Sequence, residues 1–407
     1  MRILFIHNNF PAQYRRVAQA LAADPSHQVV FATKNTDVTL PGIHKVVYAP
    51  SRDAHDSTHF YVRPFESAVL HGQAVFRLAE QLKAANFVPD IICGHSGWGP
   101  CMFIKDAFPQ VPLLCYFEWF TNAHGSDADF DPAYPPTSDD ILRYRASNAS
   151  LLIDLQSCDW GLSPTHWQRT QFPQEFHPKI SVLHDGVDTE FFCPRPGARL
   201  VLPPLDLSAV DELVTYVARG MDLYRGFPQF MEAIALVLQR RPRCHVAIVA
   251  GDRVAYGKPH PDGISYKEAM LNRLDLDRSR VHFLGTLPYS QYLQVIQASS
   301  VHIYLTRPFV LSWSLLEALS TGCLVIASDT APVTEVIRDG DNGLLVDFFS
   351  PSQIADRVDE VLDHPTRLQA IRDRARSSVV DHYALAQLLP RHIQLLTDIA
   401  QGKIPPG

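Results

Sequence analysis

Two arginines six residues apart, Arg219 and Arg225, follow a run of apolar, β-branched residues and precede a helical pattern in Arg219-Gly-Met-Asp-Leu-Tyr-Arg225-Gly-Phe. Cations at the end of a strand suit a phosphate pair, because guanidinium forks grip phosphate oxygens and stabilise charge developing on a leaving phosphate. Surface solvation is the bland alternative, and the position after a strand argues against it. Further on, Val301 to Val346 reads as a strand, a loop Thr306–Ser312, a helix carrying Glu317, and a strand. Such a turn aims the backbone N–H groups around Ser312, Trp313, Ser314 and Leu315 at an anion. A carboxylate one turn into the helix can grip ribose hydroxyls. The same residues also read as a capping box, Ser314-x-x-Glu317, in which the glutamate serves only the helix end. In the first half, Glu118 closes Pro112-Leu-Leu-Cys-Tyr-Phe-Glu118, where it either accepts a hydroxyl proton or is a packed strand end. His95, in Cys93-Gly-His-Ser-Gly-Trp-Gly99, ends a strand in a glycine-rich loop that lets backbone approach a ligand, or it is a satisfied structural histidine. His55, Asp56 and His59 have metal-like spacing, but the Ser, Thr and Asp around them read as a loop, and no metal is assigned.

These groups need elements to place them. Strands over Ile3–Ile6, Val29–Ala32, Ile91–Cys93 and Leu113–Phe117 alternate with helical stretches, the first carrying Tyr14, Val17 and Leu21. That alternation predicts a parallel sheet. Trp119 to Pro136 is long, irregular and rich in Asp, Pro and aromatics, either an active-site loop or a solvated connection. After a Pro-rich connection between His184 and Pro204 the alternation restarts, with strands over 213–217, 246–250, 281–284, 301–305, 324–327 and 344–346. The expected division is residues 1–190 for a first domain, 191–382 for a second, and 383–407 for a final helix packing back on the first.

The run from Val301 to Val346 resembles the donor-binding core of retaining glycosyltransferases of family 4. It carries Leu315-Leu-Glu-Ala-Leu-Ser-Thr-Gly322, the strand Val325-Ile-Ala-Ser328, and Glu335-Val-Ile-Arg-Asp-Gly-Asp-Asn-Gly-Leu-Leu-Val346. Arg219 and Arg225 are similar to the family's arginine and lysine ahead of Gly-Phe, with arginine replacing lysine. Leu183-His-Asp-Gly-Val-Asp188-Thr-Glu-Phe-Phe-Cys-Pro194 resembles a further family signature. The resemblance implies an α/β chain of GT-B architecture, two Rossmann-like domains facing each other across a cleft, with the donor in the C-terminal half. It implies transfer of a hexose-type sugar from a nucleoside diphosphate, of UDP or GDP type, to a hydroxyl of a glycan, glycolipid or small molecule. It further implies retention, with neither metal nor other cofactor. It gives Glu317 the ribose, and Gly251, Asp252, Leu284 and Gly285 the loops around the base.

The chain departs from that pattern in four places. Phe309 stands where the family has a carboxylate for the donor sugar's hydroxyls, and Ser312 stands for a glycine. His7-Asn-Asn-Phe-Pro-Ala-Gln-Tyr14 occupies the place of a glycine-rich loop yet has no glycine. There, either the Asn9 or Gln13 amides substitute, or this is a plain strand-to-helix turn with Pro11 at the first helical position. Glu118 aligns with a family histidine.

A net charge of −7 gives no field for nucleic acid, and the seven cysteines, none in a CxxC pair, point to a reducing compartment. No apolar run is long enough for a membrane span, so a cytoplasmic location is expected, with peripheral contact at the membrane's inner face open. Oligomeric state stays open. The rival readings are a phosphorylase or epimerase using the same diphosphate site, and a degenerate, non-catalytic scaffold.

Overall fold

A computed structural model describes residues 1–403. The chain divides into two compact units, one of residues 1–185 plus the segment from Ala386 onward, the other Gly186–Leu385. Both crossings fall at one place. Val187 N–H donates to the Tyr383 carbonyl and Leu385 N–H to the Val187 carbonyl (2.8 and 2.7 Å). Gly186 sits beside them at φ +85°, where a Cβ would lie 3.0 Å from the Leu385 Cα.

The first unit is built on seven parallel strands, β1 Arg2–Ile6, β2 Gln28–Thr33, β3 Ile43–Val47, β4 Ile91–His95, β5 Leu113–Tyr116, β6 Trp160–Ser163 and β7 Ile180–Val182, in the order β3-β2-β1-β4-β5-β6-β7. Side chains alternate faces along a strand. Leu4 and Ile6 of β1 therefore join one core with Val75 and Leu155, while Ile3 and Phe5 join the other with Leu21, Leu388 and Leu396. A sheet buried on both faces needs apolar residues throughout, which is why β1, β2 and β4 were readable. Strands β3, β6 and β7 were not foreseen: β3 is half-exposed at an edge, and the other two are only four and three residues long.

The last helix, Leu385–Ala400, belongs to that second core. Ala384 adopts an extended conformation between it and the helix Gln369–Tyr383, so the single final helix expected from Tyr383 starts two residues later. Its buried His392 ring nitrogen bonds the His184 carbonyl at 3.0 Å.

Two short antiparallel strands, β8 Val201–Leu202 and β9 Leu205–Asp206, precede the sheet of the second unit. That sheet comprises β10 Glu212–Gly220, β11 Cys244–Gly251, β12 Val281–Phe283, β13 Val301–Tyr304, β14 Val325–Ser328 and β15 Leu344–Val346. All six are parallel, in the order β12-β11-β10-β13-β14-β15. Among the described residues no helix is long and apolar enough to cross a membrane.

Candidate functional site

In parallel α/β sheets, ligands collect outside the carboxyl ends of the strands. In the second unit the chain leaves β10 through a one-turn 3₁₀ helix, Leu223–Arg225, capped by Asp222. That carboxylate is fully buried and accepts from four backbone amides: Tyr224 (3.0 Å), Arg225 (3.3 Å), Ala255 (2.9 Å) and Tyr256 (3.1 Å). It thereby ties the loop after β10 to the loop after β11. Burial still holds its pKa above the ordinary carboxylate value. Gly226 follows at φ +60°, and a Cβ there would come within 2.7 Å of the Leu305 Cβ. Glycine is required at such a place.

Arg225 is buried, with 5% exposure. Its guanidinium donates to the Tyr304 hydroxyl (3.2 Å), the Thr306 hydroxyl (2.8 Å) and the Val310 carbonyl (3.0 Å), and lies 5.5 Å from the Tyr256 ring. The fork therefore braces the loop Thr306–Ser312 and has further N–H groups to offer. Arg219, by contrast, is exposed where β10 shifts register between Val217 and Gly220. The two arginines thus differ in kind: one is built in, and the other is a solvent-facing cation.

The helix after that loop is Trp313–Ser320, and Ser312 caps it, its hydroxyl accepting from Ser314 N–H at 3.3 Å. This corrects the capping-box alternative, since the cap lies two residues before Ser314. Glu317, 7% exposed, accepts instead from the Tyr292 hydroxyl at 2.9 Å. Burial pushes its pKa up to about 7, against which the Tyr292 and Tyr289 hydroxyls act. Leu315 also needs correcting: its side chain is fully buried in the core, and its N–H is bonded to the Ser312 carbonyl at 3.2 Å. Trp313 is exposed and Ser314 buried. Gly251 closes β11, and Asp252 lies 3.8 Å from the Lys267 ammonium. Leu284 N–H continues the β12 ladder to the Ile248 carbonyl at 2.8 Å, and Gly285 turns out at φ +65° with open space around it. Phe309 packs edge-to-face on Tyr224, with ring centroids 5.0 Å apart.

The first unit gathers its candidates at the ends of β1, β4 and β5. His95 Nε2 lies 3.6 Å from a Glu118 oxygen, and the Gln13 amide nitrogen lies 3.5 Å from that Nε2 and 3.4 Å from the other Glu118 oxygen. His95 Nδ1 faces the Ser96 carbonyl at 2.9 Å. A carbonyl only accepts, so Nδ1 carries the proton and Nε2 is the atom free to exchange one. The ring is 2% exposed, sandwiched by Trp98 (4.5 Å, 9°) and Tyr116 (5.3 Å, 27°). Ser96 in turn donates to the buried Asp154 at 2.6 Å, whose pKa burial raises to about 7. Asn9 stands apart from the trio: its side chain is exposed, while its N–H donates to His7 Nδ1 at 2.8 Å. Burial and the neighbouring His95 drive the His7 pKa down to about 2.

The turn itself is not plain. Ala12 holds φ +47°, a 3₁₀ turn spans Ala12–Tyr14, and the α-helix begins at Arg15, so Pro11 is not its first residue. The segment after Glu118 is held down in its first part, with Ser126, Asp127 and Asp131 buried and Asn148 bonded to both backbone groups of Thr121, while residues 132–135 are exposed. Asp222, Tyr292, Trp98 and His7 were missed in the sequence: Asp222, Tyr292 and His7 gain their roles from partners far along the chain, and Trp98 from the way the loop after β4 folds its ring back onto His95. The position of Asp222 directly after a strand end was the one available signal.

Two family models match this chain, the Glycosyl transferase family 4 group over residues 25–192 and Glycosyl transferases group 1 over residues 206–378. The chain belongs to the glycosyl transferase family 4 group. A D-inositol 3-phosphate glycosyltransferase of Nocardioides is 26% identical over 223 residues, 51% of this family 4 chain and 45% of that protein. One from Nocardia farcinica is 27% identical over 199 residues, covering 48% and 43%. The matched stretch is thus about half the length of these relatives. Among solved structures, the Anabaena HepE complex with UDP-glucose aligns with a TM-score of 0.71 at 14% identity, covering 98% of this chain and all (100%) of that one. The sucrose-phosphate synthase of Thermosynechococcus elongatus aligns at 0.72 with 16% identity, covering 99% and 100%. At that identity the likeness speaks for the fold, which is GT-B.

Proposed function

We propose that this family 4 protein transfers a hexose-type sugar from a nucleoside diphosphate donor to a hydroxyl acceptor, with retention and without a metal. One observation carries the reading: the Arg225 fork and the buried Glu317 carboxylate flank a single turn, Thr306–Ser312, at the carboxyl end of a parallel sheet. In this reading the remaining N–H groups of Arg225, together with the exposed charge of Arg219, take up charge as the diphosphate leaves. Glu317 holds the ribose, exchanging its bond from Tyr292 for bonds from sugar hydroxyls. The nucleotide sugars of the HepE complex and the inositol phosphate of the curated relatives' name fit such a donor and a polyhydroxyl acceptor. Glu118 and His95 receive the acceptor's proton, with Gln13 orienting them.

The test is thermal stability and calorimetry with UDP, GDP, ADP and their sugars, on the natural chain and on Arg225→Ala and Glu317→Ala. A selective upshift in Tm that both substitutions abolish is expected. No upshift from any nucleotide at millimolar concentration would defeat the proposal and leave the scaffold reading standing. Chelation is expected to leave the rate unchanged, and the anomeric configuration of the product, read by NMR, checks retention.

A further inference from the structure

Three loops leave adjacent strands of the second unit and bring together three half-buried aromatic rings. Tyr224 follows β10, Tyr256 follows β11 and Phe309 follows β13. The Phe309 ring meets Tyr224 at 5.0 Å and 82°, and Tyr256 at 5.1 Å and 63°. Both tyrosines also border arginines: Arg225 lies 5.5 Å from the Tyr256 ring and Arg307 lies 5.4 Å from the Tyr224 ring. An aromatic wall thus stands beside the cationic group proposed to face the diphosphate.

The ring of the three that leaves β13 brings no carboxylate with it, and the carboxylates of the other two loops have partners of their own, Asp262 lying 3.8 Å from the His260 ring. Residues 306–312, Thr-Arg-Pro-Phe-Val-Leu-Ser, contain neither Asp nor Glu. Asp222 is buried and committed to four backbone amides, and Asp252 faces Lys267. A sugar lying against these rings meets π-faces, which favour its C–H groups. A hydroxyl pressed onto the Phe309 ring, away from the Tyr224 and Tyr256 phenols, loses water and gains no acceptor.

We infer that Phe309, with Tyr224 and Tyr256, makes the donor site selective for a deoxyhexose, a sugar lacking one of the ring or exocyclic hydroxyls of an ordinary hexose. The inference rests on the proposed donor reading and narrows its sugar. The magnitude is bounded, because an apolar wall rejects an added hydroxyl by at most about 100-fold.

The experiment is calorimetry of the full chain with one nucleoside diphosphate, bare and carrying glucose, 4-deoxyglucose or 6-deoxyglucose. Each Kd is divided into that of the bare nucleotide. At least one deoxy form is expected to bind about tenfold more tightly than the glucose form, and Phe309→Glu is expected to reverse that order. Phe309→Leu keeps the bulk without the ring, so it should shrink the sugar's share of affinity, read as the ratio of the sugar form's Kd to that of the bare nucleotide in the same variant. This second variant serves if the first does not fold. Glucose binding as tightly as or more tightly than every deoxy form overturns the inference, as does an order that Phe309→Glu and Phe309→Leu leave untouched. Absence of binding by the bare nucleotide is the distinct result that removes the donor reading itself, and this inference with it.

Discussion

In the second unit the groups proposed to hold the donor come from two short stretches, 219–225 and 306–317, each a strand end running into a helix. In the first unit Gln13, His95 and Glu118 come from three strand ends far apart in the chain, and meet only because β1, β4 and β5 are neighbours in the sheet. Arg225 and Glu317 are locked by buried hydrogen bonds to Tyr304, Thr306, Val310 and Tyr292, while His95 in the first unit is held by stacking and by its bond to the Ser96 carbonyl, with Trp98 42% exposed beside it. A diphosphate and a ribose are constant demands that reward a fixed local motif. An acceptor hydroxyl asks only that a base and an orienting group meet, which many sequences satisfy.

The contrast can be tested by separating catalysis from donor binding. Glu118→Gln or His95→Gln is expected to lower kcat by about 10²- to 10⁴-fold with nucleotide affinity unchanged. A parallel loss of nucleotide affinity would erase the division of labour. Glu317→Ala should do the reverse, weakening nucleotide binding about 10- to 100-fold in calorimetry through two lost charge-assisted hydrogen bonds.

pH sharpens the same comparison. Folded Glu317 titrates at about 7 against an ordinary 4.5. A raised carboxyl supports the fold fully below the unfolded value, and that support is lost as pH rises through about 7. The loss approaches about 3 kcal/mol in the alkaline range. Asp154 of the first unit has the same sign. Glu317→Gln should therefore raise the Tm of the unliganded protein more at pH 8 than at pH 5.5. Because the ionised form accepts ribose hydroxyls best, donor affinity should tighten from pH 6 to 8 in the natural chain and stay flat in Glu317→Gln.

The smallest effect belongs to the turn after β1. Ala12 holds φ +47°, where an L side chain crowds the backbone, so Ala12→Gly should raise unfolding stability by up to about 1 kcal/mol in urea titration. A loss of stability there would mean the methyl group is packed rather than strained.

What the sequence determined by itself was whatever repeats locally. Apolar runs such as Ile3–Ile6 and Val246–Ala250 announced strands buried on both faces, and the order of strand, loop and helix around Glu317 announced a place for an anion. Phe309 was visible as a departure from the family pattern, though not as one wall of three rings. Tertiary structure alone decided that Arg225 would be built in while Arg219 stayed exposed, and that Ser312 would cap the helix and release Glu317 to Tyr292. It also decided that His95 would meet Glu118. A side chain's burial and partners depend on which strands become neighbours, and strand order is settled by packing of the whole sheet, which no local pattern of residues encodes.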